Sequence, residues 1–130
     1  MDAGDLATAD QLVESMRPLF AGNYSWQLTR GLLFAREGKR REALDVVDDE
    51  TLKFAAVAFP QTASVAELYA LLGDESKALE WFERAVRNGD ERIGWFQRNR
   101  RLAAIRDNPR FRTIISSIEA RRQTRRPATP

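Results

Sequence analysis

The side chains best placed to do chemistry in this chain are carboxylates and guanidiniums. Glu80, Glu83 and Asp90 lie near one another in the sequence, and grouped carboxylates can pass protons as acid and base. Lys77, Arg84 and Arg87 stand among them. Charge pairing three and four residues apart on a helix surface accounts for the same cluster and is the preferred reading. The chain contains no Cys and no His. Disulfides, thiolate nucleophiles, thiolate metal sites and imidazole-dependent triads are therefore excluded, and so is the side chain that most often serves as a base near neutral pH. Gly89 and Gly94 are isolated and follow no strand pattern, so no phosphate-cradling loop is expected. The expectation is a non-enzymatic chain with no catalytic residue, no cofactor and no metal.

The guanidiniums are unevenly distributed. Residues 1–91 hold 10 basic and 17 acidic side chains, whereas residues 92–130 hold 11 Arg against Asp107 and Glu119. An Arg-rich third of this kind suits an anionic partner such as nucleic acid, a lipid headgroup or an acidic protein. The simpler reading is that Arg98, Arg100, Arg101, Arg106, Arg110 and Arg112 solvate short terminal helices and answer the acidic segment before them. That reading takes precedence because no groove-reading motif accompanies the charge, and nucleic acid is not the expected partner.

These residues must be positioned by helices. The chain has 130 residues, 43% of them hydrophobic and 31% charged, which is the make-up of one globular domain. Its longest apolar run, Phe54 to Phe59, is far shorter than the ~20 residues of a membrane helix. The opening residues Met1 to Asp5 lack the basic and apolar segments of a signal peptide, so the expected location is the cytoplasm. Leu6, Ala9, Leu12, Val13 and Met16 recur at helical spacing, as do Leu79, Phe82, Ala85 and Val86. Strict alternation is absent, so no strands are expected. Helices are predicted near 5–19, 24–37, 39–48, 62–72, 75–88 and 109–122. A short helix is expected over 52–59, after a break at Asp48 to Thr51, and another around Leu102 and Ile105.

The helices repeat. Gly, then Ala five residues on, then Val or Phe four further, occurs at Gly4/Ala9/Val13, Gly38/Ala43/Val47 and Gly73/Ala78/Phe82, with offsets of 34 and 35. Gly31 and Phe34 lie over Ala66 and Tyr69 in the same register, and Ala85 completes the later copy. A small-x2-aromatic motif followed by Ala-x3-aromatic at this period resembles the tetratricopeptide repeat (TPR). The resemblance implies an all-α fold, a right-handed TPR-like α–α superhelix of antiparallel helix pairs with a C-terminal capping helix. Residues 4–20 would be the second helix of a truncated repeat or an N-terminal cap, which suggests a piece of a longer protein. Residues 24–59 would be a degenerate repeat, 60–90 a regular one, 91–120 capping helices and 121–130 a disordered tail. The small residues would let paired helices approach, Tyr69 and Phe82 would fill the space between them, and Gly73 would permit the turn.

The resemblance also implies a function. The sequence from Ala63 to Ile118, ending in Asn108-Pro109-Arg110-Phe111, is similar to the C-terminal TPR regions of bacterial signalling proteins, including those that follow serine/threonine kinase domains. No kinase motif is present here. The implied role is a protein-interaction scaffold that docks another protein or another domain of its parent chain. By the family register the concave binding face comprises Ser25, Leu28, Thr29, Leu32, Ala35 and Arg36, then Ala63, Ser64, Glu67, Ala70 and Leu71. Leu28, Leu32, Arg36, Ala63, Glu67 and Ala70 are the candidate partner-binding residues. Leu28, Leu32 and Ser64 stand where chaperone-binding members carry Lys or Asn, so a chaperone tail is not the expected ligand. Part of the stripe Leu6, Leu12, Val13 and Met16 would lack its normal neighbour; either Leu28 and Leu32 cover it within the chain, which stays monomeric, or the same helix of a second chain does, and the weak homodimer is the preferred expectation.

Overall fold

The computed structural model describes residues 23–125 together with Thr8, Ala9, Gln11 and Leu12. Those four residues are helical. The rest of the helix expected over 5–19, including Gly4, Leu6, Val13 and Met16, lies outside the described residues, as do residues 126–130 of the expected tail. Among the described residues every regular element is a helix and none is a strand.

The first helix, α1, spans Tyr24–Arg36. Asn23 starts it, its side-chain oxygen accepting the Trp26 amide at 3.1 Å. The chain turns back through Gly38, at φ 77°, into α2, Arg40–Val46. Gly31 faces α2 so closely that a Cβ there would collide with Val47 Cγ2. The same turn recurs after α4, Gln61–Leu71, where Gly73 at φ 79° leads into α5, Glu75–Arg87. A left-handed φ favours Gly because a Cβ would crowd the carbonyl, so Gly38 and Gly73 hold equivalent places in two helix pairs. Asp74 caps α5 by accepting the Lys77 amide at 3.1 Å.

Between the pairs lies α3, Asp49–Ala55. The break expected at Asp48 to Thr51 is instead the start of this helix. Asp48 accepts from the Thr51 amide at 2.9 Å and from the Thr51 hydroxyl at 2.8 Å. These bonds hold the Asp48 carboxyl below its usual pKa, and they turn an apparently polar interruption into a helix cap.

After Gly89 the chain forms α6, Ile93–Arg98, a 3₁₀ turn, Arg100–Leu102, the single turn α7, Ala103–Arg106, and α8, Pro109–Arg125. Asn99 opens the 3₁₀ turn by accepting the Arg101 amide at 3.0 Å. Asn108 accepts the Arg110 amide at 2.8 Å beside Pro109, whose missing N–H suits a first turn. The disordered tail expected from Arg121 is corrected in part: α8 continues to Arg125. It is held there by contacts from its Arg side chains to Glu91 and to the Val86 carbonyl.

The elements pack around α4. It lies against α1, α3, α5, the 3₁₀ turn and α7, while α5 also contacts α7 and α8. Such a helix has no polar face to spare, and Thr62, Ala63, Val65, Ala66, Glu67, Leu68, Tyr69 and Ala70 are all buried. Phe82 joins the second helix pair to the C-terminal helices. Its ring meets Phe96 edge-on at 4.8 Å and stacks on Phe111 at 4.7 Å. Ile105 and Ile118 complete that core, fully buried.

Candidate functional site

The concave-face residues read from the sequence are divided between core and surface: Ser25 and Thr29 are exposed, and Ser64 and Leu71 are half-buried. Leu28, Ala63, Glu67 and Ala70 are buried, and Leu32 and Arg36 are half-buried. The chain's own 3₁₀ turn and α7 lie on α4, with Leu102 and Ile105 sunk into the core. The C-terminal segment thus packs on the second helix pair, an arrangement the repeat register could not reveal. Apart from the exposed turn residues Gly38 and Gly73, the repeat-signature residues sit inside the packing. Ala43, Ala66, Ala78, Phe82 and Ala85 are at most 1% exposed; Gly31 and Tyr69 are buried and Phe34 is half-buried.

Glu67 is the buried carboxylate of that covered face, 2% exposed. Arg101 answers it with Nη1 at 3.0 Å from Oε2. Above this pair is an open cleft of about 240 Å³ lined by Arg36, Leu71, Arg100 and Arg101. It joins the last turn of α1 to the 3₁₀ turn, more than sixty residues later in the chain.

A second surface feature lies between α3 and α4. Val57 is 83% exposed and Phe59 is 62% exposed. Arg92 stands beside Phe59, its guanidinium 5.2 Å from that ring centroid and 4.0 Å from that of Trp95. Arg92 is fixed from behind by two hydrogen bonds to Asp90, at 2.8 and 2.7 Å. Asp90 is itself buried, and this bonding raises the Arg92 pKa further. The sequence reading passed over Val57 and Phe59. The signal was present in the apolar run ending at Pro60: Thr51 and Ala55 share the inward stripe of α3, and Val57 and Phe59 fall beyond its end.

The Arg-rich third is largely engaged within the molecule. Arg101 pairs with Glu67, Arg110 with Glu83 at 2.8 Å, and Arg125 with Glu91 at 2.5 Å. Arg121 and Arg122 both stand 3.8 Å from Glu91, and the Arg125 hydrogen bond foremost holds the Glu91 carboxyl below its usual range. The carboxylates Glu80, Glu83 and Asp90 are not brought together as a proton-transfer site. Asp90 is buried on Arg92, Glu83 faces Arg110 across to α8, and Glu80 is exposed. The partners come from other elements and not from the same helix face, as the spacing had suggested. Arg84 instead stacks over Trp81 at 4.8 Å.

No group of three or more metal-ligating side chains occurs among the described residues, and none of the described helices is long and apolar enough to cross a membrane. Comparison of the chain with protein-family models, with curated protein sequences and with solved structures finds no match.

Proposed function

We propose that this chain is a non-enzymatic protein-interaction module, a TPR-like stack of helix pairs that serves as a docking unit within a larger bacterial, cytoplasmic regulatory protein. Its partner is another protein or another domain of the parent chain. The observation that carries this reading is the exposure of Val57 and Phe59, with the Phe59 ring against the Arg92 guanidinium, which also lies over Trp95. A large aromatic side chain left in solvent beside a fixed aromatic–Arg stack is the composition of an interface centre. The docking surface is thus assigned to the connection between the helix pairs and not to the covered face of α4.

A photo-crosslinking amino acid at position 57 or 59, in cells that naturally make the chain, should trap one dominant protein. The same group at Glu42, exposed on α2, should not. No adduct, or identical adducts at all three positions, would overturn the assignment.

The rival reading is nucleic-acid or anionic-surface binding through the Arg-rich third. It draws less support because Arg92, Arg101, Arg110 and Arg125 already bond to carboxylates. Electrostatic binding of that kind weakens steeply between low and physiological salt. Retained, base-specific binding at physiological salt would reverse the ranking.

A further inference from the structure

We infer that the cleft between the end of α1 and the 3₁₀ turn is a binding site for a doubly charged phosphate group. Its walls bring together Arg36, Arg100 and Arg101 around Leu71. Among the described residues, Arg101 alone of the three has a carboxylate partner, and that partner, Glu67, is buried. The site therefore carries an excess of two positive charges, three guanidiniums against one carboxylate. A single carboxylate ligand would leave half of this excess unanswered, whereas a phosphate dianion neutralises it. Guanidinium groups also match the oxygen geometry of phosphate in a way that favours paired hydrogen bonds.

The division of labour among the three is visible in the packing. Glu67 holds one nitrogen of Arg101 at 3.0 Å, which fixes that guanidinium at the floor of the cleft. Arg36 is half-buried and Arg100 exposed, so both remain accessible to a ligand from solvent. Leu71 supplies an apolar wall that sharpens the local field by displacing water.

The site does not depend on the docking surface at Val57 and Phe59. Only one of its two possible sources, a phosphorylated side chain on a protein partner, rests on the interaction reading. The other is a free phosphorylated small molecule.

The test uses the whole chain, isotopically labelled, titrated with inorganic phosphate at a pH where it is doubly charged. Saturable shifts should gather on Arg36, Leu71, Arg100 and Arg101. Arg36→Gln and Arg100→Gln remove no ion pair from the fold, and each should weaken binding by about tenfold or more, the worth of a hydrogen bond to a charged group. Arg112→Gln, exposed on α8, should leave binding unchanged. Acetate at equal ionic strength should not saturate the site. Shifts spread over all the Arg residues, equal response to acetate, or undiminished binding in the Arg36→Gln/Arg100→Gln double variant would overturn the proposal. A phosphoserine peptide that binds more tightly than phosphate identifies a protein source. A peptide that binds no better supports a small-molecule source and leaves the phosphate site standing.

Discussion

Ala78 has no exposed surface, so a side chain added there has nowhere to go but into its neighbours. Ala78→Asp would bury a charge without a partner, and a loss of several kcal/mol is expected, read as a large fall in melting temperature. Gly73 differs in kind. A Cβ at Gly73 meets nothing within 4 Å, but the residue sits at φ +79°. Gly73→Ala should therefore cost only the backbone strain, about 1–2 kcal/mol. At Gly31 the order reverses: the backbone is ordinary and the added methyl strikes Val47. Asp48 supplies a pH-dependent case. Bonding to Thr51 lowers its pKa in the folded chain. Its contribution is therefore present above the unfolded value of about 3.9 and is lost as pH falls through the lower folded value. Asp48→Ala should cost roughly 0.5–2 kcal/mol at neutral pH. Thermal melts from neutral to strongly acidic pH should show that gap closing at the acid end, and Asp48→Asn, which keeps a capping oxygen but does not titrate, should gain on the parent by the same amount over the same range.

Among the elements, α5 and α8 were legible in the sequence from their apolar spacing, and α1, α2 and α4 from the repeat register that Gly38 and Gly73 mark. The covering of α4 was not legible. Ala63, Glu67 and Ala70 occupy positions that face outward in an open helix array, and only the placement of Leu102 and Ile105 shows that the chain folds back to fill that side. The extent of α8 was missed for a related reason. Residues 121–125 have no apolar stripe, and their anchor, Glu91, lies more than thirty residues earlier. That anchoring gives a measurable expectation. Removing residues 121–130 should lower the melting temperature by a few degrees at most, since ion pairs at the surface are screened by water and contribute little. The decrease should shrink in high salt, and Glu91→Gln should reproduce most of it. An equal loss at all salt concentrations would show that α8 is held by something other than these charges.

For the whole molecule, self-association through the N-terminal segment is testable at Leu12, which is 59% exposed. Leu12→Glu places a charge on that stripe and should remove self-association while the chain stays folded; a large fall in melting temperature would show the side chain to be internal. Light scattering should find a dimer of the parent at high concentration that the variant lacks, and a parent that stays monomeric at every concentration would dispose of the dimer. Another consequence of the architecture concerns motion. Because α4 is enclosed by α1, α3, α5, the 3₁₀ turn and α7, its amides cannot reach solvent until most of the molecule has come apart. Amide hydrogen exchange should be slowest across residues 65–71, with an opening free energy equal to that of global unfolding, while the short, largely exposed α2 exchanges through smaller openings. The helix marked by the repeat register as the place for a partner would then be the part of the chain that opens last.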